Sequence, residues 1–183
     1  MSRPQKFHPL ARALHWTMAV AIVAMLFIGV GMASTVSGVR TFLLPAHRSV
    51  GVVLLALAAV RLGVRLARRA PPLPEDMPAW QRRAAGASQI VLYVLMFTIP
   101  IVGWAMLSAG GYPVTLLGGV QLPSIAPQSP ALHAALRRAH TYLALLLFGA
   151  FLQHLAAALF HLLIRRDDVF ASMAPRWWRR RGG

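Results

Sequence analysis

Seven histidines and no cysteines stand in this chain of 183 residues. Without thiols, a disulfide framework, an iron–sulfur cluster, thiol redox chemistry and thioether attachment of a c-type haem are all excluded. Imidazole is the common transition-metal ligand that remains. Four of the histidines, His15, His47, His140 and His154, fall within or at the ends of long apolar stretches. An ionisable group there is costly and marks function by default. Fourteen residues separate His140 from His154. On one helix that is about 21 Å of rise and only about 40° of azimuth, so the two rings share a face at two depths.

The stretches that must position these rings are membrane spans. The chain is 57% hydrophobic and 13% charged, with 19 Lys and Arg against 4 Asp and Glu and a net charge of +15. A soluble domain carries about 25% charged residues. So much apolar side chain leaves a lipid bilayer, rather than nucleic acid, as the partner for a basic chain. Spans of about 20 apolar residues are expected at 13–33, 46–67, 88–108 and 138–164. The first is too long for a signal-peptide core of ~7–15 residues and is read as a retained helix. Pro100 predicts a kink in the third. Thr35 to Pro45 is a short connector, Pro71, Pro72, Pro74 and Pro78 end the second helix, and Ala109 to Pro130 is the longest connector. The expected fold is an all-α membrane protein, four transmembrane helices in one antiparallel bundle, forming a single integral-membrane domain over 1–183.

Basic residues orient it. With the N-terminus in the cytoplasm, 15 of the 19 mark the cytoplasmic side: Arg3, Lys6, Arg12, Arg61, Arg65, Arg68, Arg69, Arg82, Arg83, Arg165, Arg166, Arg176, Arg179, Arg180 and Arg181. Arg40, Arg48, Arg137 and Arg138 lie on the opposite side. Both termini are then cytoplasmic. Trp16, Trp80, Trp104, Trp177 and Trp178 all fall near expected span ends, as interfacial indoles do.

Depth now pairs the histidines: His47 with His140 toward the outer side, His15 with His154 toward the inner. Two opposed pairs inside a four-helix bundle are what two bis-histidine b-type haems require. Zinc would need about four ligands converging on one point, and the acids Glu75, Asp76, Asp167 and Asp168 all lie in expected cytoplasmic segments. Gly51, one turn after His47, and Gly149, between the ligands of helix four, leave room for a macrocycle or simply for helix packing. Arg61 lies fourteen residues from His47 and should face the bundle at the inner depth, where a haem propionate would pair with it; the alternative is snorkelling to the headgroups. Arg48, Arg137 and Arg138 suit outer propionates or a basic rim that attracts an anion. His161 suits a quinone site or an ordinary interfacial position. His8 and His133 lie outside the apolar core.

In order along the chain stand Leu14-His15-Trp16, Ala46-His47-Arg48-Ser49-Val50-Gly51, Arg61-Leu62-Gly63-Val64-Arg65, Pro100-Ile101-Val102-Gly103, Ala139-His140 through Leu143, His154 followed by alanines and His161, and Met173-Ala174-Pro175-Arg176. This ordered set, from about His8 to Pro175, resembles the bacterial di-haem cytochrome b561 family. The family's four haem-ligand positions fall on His15, His47, His140 and His154. The resemblance implies electron transfer in the bacterial inner membrane between two b haems and the quinone pool. One branch resembles a superoxide:ubiquinone oxidoreductase, taking electrons from superoxide at the periplasmic face. Other relatives are haem-bearing anchor subunits that serve a separate dehydrogenase or a secreted redox partner.

Overall fold

The computed structural model describes residues 6–34, 38–68 and 70–175. Arg3, Arg69, Arg176, Arg179, Arg180, Arg181, Trp177 and Trp178 lie outside them, as does the side chain of Arg40. Helices α1 (Pro9–Ser34), α2 (Gly38–Ala67), α3 (Ala79–Ala109) and α4 (Pro130–Leu159) dominate the chain. A π-helical turn, Phe160–Arg165, extends α4, and the short α5 (Asp168–Met173) follows. Among the described residues, four helices are long and apolar enough to cross a membrane, so the chain is a multi-pass membrane protein.

Most helices overrun the hydropathy limits, because a helix need not stop where the lipid does. The start of α1 places Pro9 where the missing N–H costs nothing, and His8 Nδ1 accepts from Leu10 N at 3.3 Å. The expected connector up to Pro45 is instead helix back to Gly38, with Pro45 inside α2. In an apolar environment, leaving a whole turn of backbone unpaired costs more than one interrupted bond. Ser49 Oγ donates to the Pro45 carbonyl at 2.9 Å. Helix α3 starts at Ala79 behind Pro78 and runs through Pro100. It closes in a Schellman turn, with Tyr112 N on Leu107 O, Gly111 N on Ser108 O, and Gly111 at φ 73°. Helix α4 starts at Pro130 rather than Arg138, with Ser129 Oγ as its cap on Leu132 N.

The connector after α3 holds a small antiparallel hairpin, β1 (Val114–Thr115) and β2 (Gln121–Leu122), pairing Val114 with Leu122. Gly118 (φ 89°) and Gly119 (φ 82°) form its tip. Leu117 N donates to Ser49 Oγ at 2.8 Å, Arg48 Nη1 to Pro113 O at 3.3 Å, and Trp104 Nε1 to Pro123 O at 2.8 Å. The hairpin is therefore bound down across the start of α2 and the end of α3. On the opposite, termini side, Phe7 N bonds Ser172 O at 3.1 Å, and Arg165 reaches Asp76 at 2.5 Å and Gln81 at 3.1 Å. These bonds tie together the ends of α1, α3 and α4 with the loop between α2 and α3.

Side-chain packing is concentrated in half of the bundle. Met18, Leu54 and Ala58 form its buried centre, with Ile22, Met25, Leu57, Met96 and Phe97 around them. Helix α1 packs along α2 and α3 along α4, whereas the backbones of α4 stay apart from those of α1 and α2. Helix α4 buries no residue at all.

Candidate functional site

The two helix faces that stand apart are the ones that carry the histidines. On the termini side, His15 of α1 meets His154 of α4 with ring centroids 6.2 Å apart and planes at 74°. On the hairpin side, His47 of α2 meets His140 of α4 at the same 6.2 Å and 68°. His15 thus lies beside His154 at one depth, and His47 beside His140 at the other. Neither pair stacks. A first-row metal bound at about 2 Å by two opposed imidazoles sets their centroids roughly 6 Å apart. Among the described residues, no three His, Asp or Glu side chains converge on one point, so the unit is the two-histidine pair.

The surroundings fit a group held between the rings. Nδ1 of His47 and Nδ1 of His140 are buried without a hydrogen bond, which is costly for a polar atom that has no further use. Gly103 of α3 cradles the His140 ring: a Cβ on it would lie 3.1 Å from His140 Cε1 and 3.3 Å from Nδ1. Sequence reasoning noted Gly103 only as part of a resemblance. Its local signal is that it is the one glycine between Ser88 and Ser108. Gly51 meets Met25 Cε in ordinary contact at 3.7 Å, and Gly149 has nothing within 4 Å.

The arginines divide. Arg61 turns inward, donates from Nε to the Tyr93 hydroxyl at 3.2 Å, and lies within electrostatic range of His15 and His154. Arg48 holds the hairpin, while its Nε is buried with no hydrogen-bond partner. Arg137 and Arg138 are exposed on α4. His161 bonds Asp167 Oδ2 through Nδ1 at 2.7 Å. Asp167 also caps α5 by accepting from Val169 N at 3.1 Å. His133 Nδ1 meets Met106 O at 2.8 Å and ties α4 to α3, and His8 stays at the α1 start, away from both pairs.

Residues 6–176 match the profile of the prokaryotic cytochrome b561 family. The chain belongs to that family. Two Escherichia coli relatives, cytochrome b561 homolog 1 and homolog 2, are each 28% identical; the matches cover 89% and 93% of this chain and 93% and 92% of theirs. A probable superoxide oxidase CybB of Yersinia pestis is 26% identical, over 71% of this chain and 73% of that protein. As a cytochrome b561 family member, the protein is a transmembrane haem-binding electron carrier; the family binds b-type haem in a helical bundle and has a quinone-linked role.

Proposed function

We infer that this cytochrome holds two b-type haems and carries electrons from a small donor on the hairpin side to a quinone on the termini side. His47 and His140 would hold one haem, His15 and His154 the other. Both termini are placed in the cytoplasm, the hairpin in the periplasm, and the whole chain acts as one domain. The observation that carries this reading is the repetition of one imidazole separation, 6.2 Å, at two depths of one bundle.

When bound, the haems supply one-electron redox chemistry, the cofactor's own. The chain's residues hold, orient and insulate them. Gly103 sets the position of the His140 ring. Arg61 places a positive charge beside the His15/His154 pair, where a propionate would neutralise it. The buried Arg48 Nε suits a propionate on the hairpin side. Arg137 and Arg138 present exposed positive charge that steers an anionic donor. Superoxide, a small anion that yields one electron and leaves as dioxygen, fits that rim; the name of the Yersinia pestis relative points the same way. His161, held by Asp167, is the group on the termini side that can hand a proton to a reduced quinone.

A pyridine haemochrome assay on the purified protein should find two b haems per chain. Superoxide should then reduce them, and added ubiquinone should be consumed at half the rate of superoxide. One haem per chain, or haems that superoxide leaves oxidised, would sink the corresponding part. Turnover by the isolated protein separates this reading from a haem anchor that depends on another subunit.

A further inference from the structure

Helices α1 and α4 carry His15 and His154, yet they do not pack along each other. Something other than helix packing has to hold the two rings opposite one another. The short α5 lies across the termini side, and its burial is out of proportion to its length. Ala171 and Ser172 are buried and Ala174 is 1% exposed, whereas α4 buries none of its 30 residues.

The local sequence explains where α5 runs. The π-helical turn at the end of α4 closes on Arg166 in the left-handed region, at φ 53°, which reverses the chain. Asp167 then caps α5 on Val169 N, and is itself held by His161 at 2.7 Å and by Arg165 Nε at 3.4 Å. The start of α5 is thereby fastened to α4. At the other end, the last carbonyls of a helix have no partner within it, and the helix dipole makes that end negative. Ala174 precedes Pro175, which disfavours helical geometry; it leaves the helix with ψ at 145°.

Three consecutive carbonyls at this end each accept a donor from α1 or the residues just before it. Phe7 N donates to Ser172 O at 3.1 Å. Trp16 Nε1 donates to Met173 O at 2.9 Å. Arg12 Nε donates to Ala174 O at 2.9 Å, and Arg12 Nη2 to the same oxygen. A charged donor makes a bond about twice as strong as a neutral one, and Arg12 is only 8% exposed, so water competes little for it. Arg12, His15 and Trp16 stand at i, i+3 and i+4, on one face of α1. The face tied to α5 is therefore the face that carries the histidine. The Trp16 indole sits edge-on to the His15 ring, with centroids 5.5 Å apart and planes at 73°. The hydrogen bond that fixes the indole thus also limits the swing of the imidazole.

We propose that α5 is a strap from α4 to α1 that sets the separation of His15 from His154, and that Arg12 and Trp16 are positioning residues for His15. The inference rests on the reading that this pair holds a haem, and adds what holds the pair. Partners behind a metal-binding histidine orient its ring and tune the metal. Here those partners end on backbone carbonyls 157 and 162 residues away in sequence. The hairpin-side pair is backed differently, His140 by Gly103 of α3, so loosening α5 leaves it in place.

The test uses two variants of the full-length, haem-loaded protein. Trp16→Phe keeps a ring against His15 but loses the N–H. Arg12→Met fills most of the buried space but loses the donors and the charge. Electron paramagnetic resonance of a ferric low-spin haem reads the angle between its two imidazole planes. Both variants should shift the signal of the termini-side haem and leave that of the hairpin-side haem as in the parent. A His47→Ala background, which retains only the termini-side haem, assigns the signals. There, haem should pass to apomyoglobin tenfold faster or more once either residue is changed. The chain has no cysteine, so Thr17→Cys and Ala157→Cys, both at exposed positions, take gadolinium spin labels at unique places on α1 and α4. In a His15→Ala background, where no haem bridges those helices, the distance distribution between the labels should broaden toward longer separations in both variants.

A distribution as narrow as the parent's, or an unchanged termini-side signal, overturns the proposal. A signal that shifts in Arg12→Met alone assigns the effect to charge and also overturns it, as do two haem signals that shift together. A parent protein that holds one haem or none removes the haem reading itself, whereas two haems with an unmoved termini-side pair remove only the strap.

Discussion

His140 and Gly103 are in contact across the α3–α4 interface: the space a Cβ would take at Gly103 ends 3.1 Å from His140 Cε1. The hairpin-side ring proposed as a ligand is thus set from behind by α3, a helix that carries none of the four paired histidines. Gly103→Ala should push the His140 ring out of place, at a cost of about 1–3 kcal/mol, as overpacking does. Gly103→Val should empty that haem site. The control is Gly86→Ala near the start of α3, where nothing lies within 4 Å; a helical Gly→Ala change there should stabilise by up to about 1 kcal/mol. Haem content and thermal unfolding of the three variants check this. Equal behaviour at both glycines would contradict it.

The histidine pairs lead to a second prediction. His47→Ala and His140→Ala should each lower haem from two to one per chain, and the double variant should resemble the singles. His15→Ala and His154→Ala should do the same for the other haem. Combining His47→Ala with His15→Ala should remove both. A pyridine haemochrome titration counts the haems, and any cross-pair combination that retains one haem would show that the pairs are wrongly assigned.

Arg61 places a charge near only one pair. Removing a cation favours the oxidised, more positive iron, so Arg61→Gln should lower one of the two midpoint potentials. A shift of about 60 mV corresponds to a tenfold change in a one-electron equilibrium, and a shift of that order is expected. Tyr93→Phe removes the hydrogen-bond partner but leaves the charge, and should shift the potential less. Redox titration followed optically reads both, and two potentials that move together would contradict a local charge effect.

The hairpin is held over the His47 end of α2 by Ser49 and Arg48. Ser49→Ala removes two hydrogen bonds, the one donated to the Pro45 carbonyl and the one accepted from Leu117 N, each worth about 1 kcal/mol, and with the second the anchor of Leu117. A membrane-impermeant reductant should then reduce the hairpin-side haem several-fold faster in stopped-flow measurements, with the other haem following as before. An unchanged rate would mean that the hairpin does not limit access.

Much of this protein is legible in its chain because lipid imposes a coarse, strong rule. Backbone polar groups must be satisfied within each span, so four apolar runs become four helices wherever their exact ends fall. Histidine is rare enough in such runs that depth alone pairs His15 with His154 and His47 with His140. Absence of cysteine, likewise, restricts any haem here to noncovalent attachment through side chains such as imidazole. The same helical arithmetic left Arg61 open between an inward turn and snorkelling.

Other features depend on which surfaces meet, and no local pattern encodes that. Pro45 reads as the end of a connector, yet α2 starts earlier, at Gly38, and runs through it, because in an apolar layer the helix costs less than free backbone. Gly103 gains its meaning only from the ring it faces on another helix. The hairpin is held to α2 by a serine and an arginine more than sixty residues away in sequence. The α5 strap joins residues near position 12 to a backbone carbonyl at Ala174. Composition and periodicity determine what each helix is and how deep its residues lie. Only the tertiary structure decides which residues from distant parts of the chain share a site, because that depends on packing between helices.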